Sequence, residues 1–257
     1  VGAFDEIRKL FAVAPLAPGS TPASLQRLRK GQRVRVEMAT IPRTMILKVN
    51  AGHPWLADPR ARQALSLALD RTGIARALLR DADLAATQLF PPTLTGWHEP
   101  SLPALRSDAA AAIRLWGELG WRRGADGILQ RAGHRLSLSL RTFPDRPELP
   151  LVVAAVQEQL RLTGIEARVA IGNSGDIPTR HRDGSLDLAL VARQYGLVPD
   201  PIGTLLQDFG PRGGDWGAMN WHHPALQKHL AELATLDSAA PPAQRMALRG
   251  QVARVLH

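Results

Sequence analysis

An α/β fold is predicted by three features of the chain. Leu136, Leu138 and Leu140 alternate with serines, Pro147 to Thr163 carries a helical apolar face, and Ile165, Ala167, Val169 and Ile171 alternate again. Strand, helix and strand in that order imply a crossover between neighbouring parallel strands. Leu186, Leu188 and Leu190 add a third strand. The chain of 257 residues is long enough to bury a core without metals or disulfides.

The other elements follow in order. Thr21 caps a helix with Pro22 at its first position, running through Leu25 and Leu28 to Gly31, and Val34, Val36 and Met38 mark a half-buried strand. Thr44 to Asn50 reads as a second strand, closed by a turn at Gly52 and Pro54. Asp58 caps the next helix and Pro59 starts it; Ala61, Ala64, Leu65, Ala68 and Leu69 recur at spacings of three and four, which makes one face apolar. A helix at Ile74 to Leu79 ends before the breaker Phe90-Pro91-Pro92. Asp108 caps a helix carrying Ile113, Leu115, Trp116 and Leu119, with Gly120 as its stop. Asp126-Gly127 turns between short extended pieces, Gly164 stops the helix of the crossover, and Pro224 to Leu236 and Pro242 to Val255 read as closing helices.

Composition narrows the function classes. Thirty-two Lys and Arg against twenty-three Asp and Glu give a net charge of +9, which admits anionic ligands, nucleic acid or a charged membrane. Arg27, Arg29, Lys30, Arg33 and Arg35 cluster, but aromatics are only 5% of the chain and none interleave with them, so nucleic-acid binding is not expected. Without cysteine there is no thiol catalysis, thiolate metal site or disulfide. No run approaches eighteen consecutive apolar residues. The opening residues, Val1 to Glu6, read like protein interior, which leaves open whether an export leader precedes them or the protein is not exported.

Catalytic patterns are not found. Gly172-Asn173-Ser174-Gly175 lacks the spacing of a nucleophile elbow, and no His-Glu-x-x-His pattern occurs. Gly210 to Gly217 (GPRGGDWG) has neither the Lys-Ser/Thr of a phosphate loop nor dinucleotide spacing and reads as a flexible loop. His222 and His223 face opposite ways on an extended segment; His223 leads into the helix at Pro224, and His222 is a candidate single imidazole ligand, the one metal-ligating candidate. Ala192 to Pro201 follows an apolar strand, where open α/β sheets place ligands. Within it Arg193 offers a planar fork for a carboxylate and Tyr195 a flat ring with a hydroxyl tip. Arg193 would equally serve as a surface partner of Asp187 or Asp200. Trp216 joins Arg193, Tyr195 and His222 as a candidate ligand contact.

Several segments, taken in order, resemble the solute-binding proteins of ABC importers for peptides, nickel and opines, family 5. They are Asp58 to Arg71 (DPRARQALSLALDR), Phe90-Pro91-Pro92, Leu119-Gly120-Trp121, Asp126-Gly127-Ile128-Leu129, Gln157 to Leu160, Thr163-Gly164-Ile165 and Leu186 to Leu190. The resemblance covers residues 20 to 257. It implies a lobe of a type II periplasmic-binding (Venus flytrap) protein, a mixed sheet flanked by helices, whose two lobes close on a small solute and present it to a membrane permease. It further implies a non-enzymatic, exported monomer, in the periplasm or on the outer face of the cytoplasmic membrane. Full members are about twice this length, so residues 1–50 are expected to be a remnant of the first lobe with a hinge strand, and 51–257 the second lobe, with a hinge return near 216–221.

Peptide binders of the family carry a Trp and an Asp in the loop after the Leu186 to Leu190 strand, the Asp holding the peptide amino group. Here Arg193 stands at the Trp place and the Asp place falls near Gly196. That departure favours carboxylate-bearing solutes: a nickel or other metal chelate, an opine, or a short peptide. No resident cofactor is expected; a metal would arrive within the solute. The alternatives are an oligopeptide or dipeptide binder of the same family, and an enzyme or sensor that reuses the two-lobed fold.

Overall fold

The computed structural model describes Lys30 and residues 41–211, 214–237 and 239–257. The chain divides into two units, Val1–Met38 and Ala39–His257, and the account below is of the second. The expected strand at Val34 to Met38 and, apart from Lys30, the helix from Thr21 to Gly31 lie outside the described residues.

Four strands form a mixed sheet in the order β1-β7-β5-β6. Strand β1 (Arg43–Val49), at one end of this order among the described residues, pairs antiparallel with β7 (Leu188–Gln194) along its whole length, from Arg43 opposite Gln194 to Val49 opposite Leu188. Strand β5 (Ser137–Thr142) is parallel to both β6 (Glu166–Ile171) and β7. The crossover helix α4 (Glu148–Leu162) joins β5 to β6, packing Leu149, Val152, Val153, Val156 and Leu160 into the core, and Gly164 follows with φ 93°. Helix α5 (Asp176–Arg182) joins β6 to β7.

Local signals fix the helices before β5. Asp58 accepts from the Arg60 amide at 2.8 Å, Pro59 opens α1 (Pro59–Leu67), and Ala61, Ala64 and Leu65 are buried. Helix α2 (Arg71–Ile74) continues into a π-helical turn at Ala75–Leu79. Asp108 caps α3 (Ala109–Glu118) through the Ala111 amide at 2.8 Å, and α3 packs on α1. The Asp126-Gly127 turn lies in a small antiparallel sheet of β2 (Arg122–Arg123), β3 (Leu129–Arg131) and β4 (His134–Arg135).

Two apolar cores result. The larger joins the mixed sheet with α1, α3 and α4. The smaller gathers Phe90, Leu94 and Trp97 with α6 (Ile202–Phe209), α7 (Pro224–Thr235) and α8 (Pro242–Leu256). Strand β7 serves both: Leu188 to Val191 lie in the first core, and Tyr195, just past its end, lies in the second. No helix is long and apolar enough to cross a membrane among the described residues.

Candidate functional site

β7 continues four residues beyond the Leu190 at which the sequence pattern places its end, because β1 pairs with it as far as Gln194. Arg193 is therefore a strand residue opposite Thr44, on the same sheet face as Ile46 and Lys48. Its fork is occupied. Nε donates to Asp208 Oδ2 at 2.6 Å and Nη2 to Oδ1 at 2.5 Å, and the Asp208 side chain is only 1% exposed. Burial pulls the Arg193 guanidinium down, but its hydrogen bonds to Asp208 and that residue's charge outweigh it and leave the pKa raised. Neither of the partners considered from the sequence is used. Asp187 accepts from the Ser139 amide and hydroxyl, each at 2.8 Å, and Asp200 accepts from Arg249 at 2.6 Å.

Tyr195 does not offer its ring to the surface. It is buried, edge-on to Phe90 at 5.7 Å between ring centroids. Its phenol is raised above the usual range, first by burial and then by the negative charge of Asp208. Its ring packs in the second core, and the flanking sequence hides this because the partners there come from loops and helices remote in the chain.

The glycine-rich segment is pinned rather than free where it is described. A β-carbon on Gly217 would fall 2.0 Å from the Asp208 carbonyl oxygen, and one on Gly214 would fall 2.2 Å from that of Gln207, so glycine allows the segment to lie against the end of α6. The Ala218 amide donates to the same Asp208 carbonyl at 3.0 Å. From the other side Lys48, 4% exposed, donates to the carbonyls of Gly217 (2.7 Å), Asp215 (3.0 Å) and Gly214 (3.2 Å) and meets His181 Nδ1 at 2.6 Å. An ammonium has three N–H groups to share among these three carbonyls and the imidazole. Burial brings the Lys48 pKa down to about 8, against the opposing pull of Asp208 and Asp215. Burial, then the Lys48 charge, lowers that of His181.

Trp216 is half-buried and stands edge-on to Phe143, just past the end of β5, with centroids 6.0 Å apart at 80°. His222 is exposed and engages no hydrogen bond or ion pair among the described residues; His223 is the N-cap position of α7 and Pro224 its first residue. The structure thus brings Arg193, Tyr195 and Trp216 together around Asp208 and the 214–217 segment, and leaves His222 outside that network. No group of three or more His, Cys, Asp or Glu side chains placed to hold a metal ion occurs among the described residues.

Sequence reasoning missed Lys48, Asp208 and His181. The first two carry a signal: Lys48 occupies a core-phase position in an apolar strand, and Asp208 lies three residues after Leu205 on an otherwise apolar helix face.

The arrangement is a set of fixed charges and rings at the carboxyl ends of parallel strands, where open α/β sheets place ligands. Residues 15–216 match the bacterial extracellular solute-binding proteins, family 5 Middle. The chain belongs to this family. A probable di/tripeptide-binding protein 5 of Pseudomonas aeruginosa is 27% identical over 250 residues, covering 94% of this chain and 44% of the relative. The chain therefore spans less than half the length of that relative. NikA from Brucella suis, solved in complex with Fe(III)-EDTA, superposes with a TM-score of 0.77 at 23% identity over 92% of this chain and 47% of its own. AppA of Bacillus subtilis, solved with a nonapeptide, gives 0.77 at 18% identity, over 99% of this chain and 50% of its own. These two structures establish the type II binding-protein lobe.

Proposed function

We propose that the protein containing this chain captures a small carboxylate-bearing solute as a monomer outside the cytoplasmic membrane and delivers it to an ABC permease. The observation that carries the reading is the half-buried Trp216 standing beside Phe143 and the Arg193–Asp208 pair at the carboxyl ends of parallel strands, in a chain of this family. Arg193 spends Nε and Nη2 on Asp208, which leaves Nη1 for one contact to a solute carboxylate. Trp216 supplies a flat wall and His222 an imidazole open to the surface, suited to a metal held in a chelate. A metal chelate, an opine and a short peptide all fit this chemistry. Residues 1–50 then serve as first-lobe remnant and hinge strand, and 51–257 as the second lobe. The return near 216–221 is supported by the parallel bridge of Asn50 with Met219 and by the Asn220 amide donating to Asn50 Oδ1 at 2.8 Å.

The test is nuclear magnetic resonance titration with millimolar pairs of solutes, one with a free carboxylate and one amidated, and with a nickel–histidine chelate against either component alone. Shifts of the Trp216 indole by the carboxylate member only, with His222 added by the chelate, are expected. Equal response to both members of each pair would overturn the solute class.

A further inference from the structure

The geometry points to Lys48 as the residue that positions the solute wall: its buried ammonium clamps Gly214–Gly217 so that Trp216 stands against Phe143. The inference rests on the reading above that Trp216 faces solute. An apolar residue would suit position 48, which is buried, follows Met45, Ile46 and Leu47 and shares a face with Ile46. A buried ammonium costs desolvation unless it is fully engaged. Here it is engaged by one turn, whose three carbonyls converge on Nζ within 3.2 Å. Those carbonyls flank Trp216, and Asp215 within the turn is tied outward to Arg182 Nη1 at 2.6 Å. The turn is thus held from β1, from α5 and from the end of α6, and Trp216 is its single large apolar side chain. With the ring fixed before a solute arrives, less ordering entropy opposes binding.

The titratable and charged groups around Nζ are His181 and Arg182 of α5, Asp208 of α6, Asp215 of the turn and Arg193 of β7. Loss of the Lys48 proton removes one of its donors, so the position of Trp216 follows that ionisation.

The experiment labels all six tryptophans with 5-fluorotryptophan and assigns Trp216 by Trp216→Phe. In Lys48→Met the Trp216 resonance is expected to move toward that of the free amino acid and to gain a solvent isotope shift, while the other five stay in place. Lys48→Arg, which keeps the charge and donors, should lie nearer wild type. In wild type the Trp216 resonance should titrate with a midpoint near 8, and in Lys48→Met it should not. Should Lys48→Met fail to fold, the wild-type titration decides. An unmoved Trp216 resonance in Lys48→Met, or a flat wild-type profile through that range, overturns the clamp. A resonance that obeys Lys48 but ignores every solute overturns the solute role of Trp216 while the clamp stands.

Discussion

Arg193→Ala separates support from capture. Asp208 is 1% exposed and its carboxylate receives both bonds of the Arg193 fork. Truncating the arginine leaves a buried carboxylate without its counter-ion, and breaking a buried pair in this way costs about 3–5 kcal/mol. The Arg193 side chain is itself 20% exposed, so water can reach part of the vacated space and the lower end, about 3 kcal/mol, is expected. Against a typical domain stability of about 5–15 kcal/mol, that is a large fraction. Asp208→Asn should cost less, because the arginine left behind can turn its open edge to solvent. Replacing both partners, as Arg193→Met with Asp208→Leu, should restore most of the loss, since apolar substitutes of similar volume carry no desolvation cost. Urea denaturation of the four proteins at neutral pH and without solute, followed by far-ultraviolet circular dichroism, gives the three stability differences. A loss below about 1 kcal/mol in Arg193→Ala would show that the pair contributes no more than an exposed one, and the argument from burial would fail.

Two further outcomes are expected. Leu65→Ala, on the buried face of α1 where Leu65 is 1% exposed, should cost about 2–5 kcal/mol in a denaturant melt, and an unchanged midpoint would mean the face is wrongly assigned. Because the folded-state pKa of His181 lies below its unfolded value, the unfolded chain binds more protons there near pH 6; stability from this residue rises with pH through the imidazole range and is lost on acidification. His53 shifts in the same direction, so the His181 share is read as the reduction in acid sensitivity between pH 7 and 5 in His181→Gln, and an identical slope in variant and wild type would exclude it.

Much of the framework was legible because its signals are local. Asp58-Pro59 and Asp108 announce their helices through a side chain that reaches an amide two or three residues away. The alternation at Leu136 to Leu140 and the apolar stripe of α4 report burial one element at a time. The site was less legible because its contacts are not local. Asp183, Asp187 and Asp200 all lie nearer to Arg193 in the sequence than Asp208 does, and the choice of Asp208 depends on how α6 returns across the end of β7. Lys48 and the 214–217 turn are separated by more than 160 residues, so the glycines that look like flexibility serve close approach instead. Tyr195 follows the first core's strand, yet its neighbours belong to the second.

The sheet order also dictates the sequence of assembly. β5, α4 and β6 are contiguous, so this unit can form as soon as it leaves the ribosome or a translocation channel. β1 has no such option: its only strand partner among the described residues is β7, roughly 145 residues further along. Until β7 arrives, β1 lacks the only strand partner it has among the described residues, and an unpaired strand is the kind of segment that pairs with other chains. The contacts of β1 are among the most non-local in the molecule, and non-local pairing is slow because the loop must close first. The arginine and lysine at positions 43 and 48 place charge on that waiting strand, and charges of this kind oppose aggregation, so the Lys48 proposed to lock the Trp216 turn sits where a gatekeeper would.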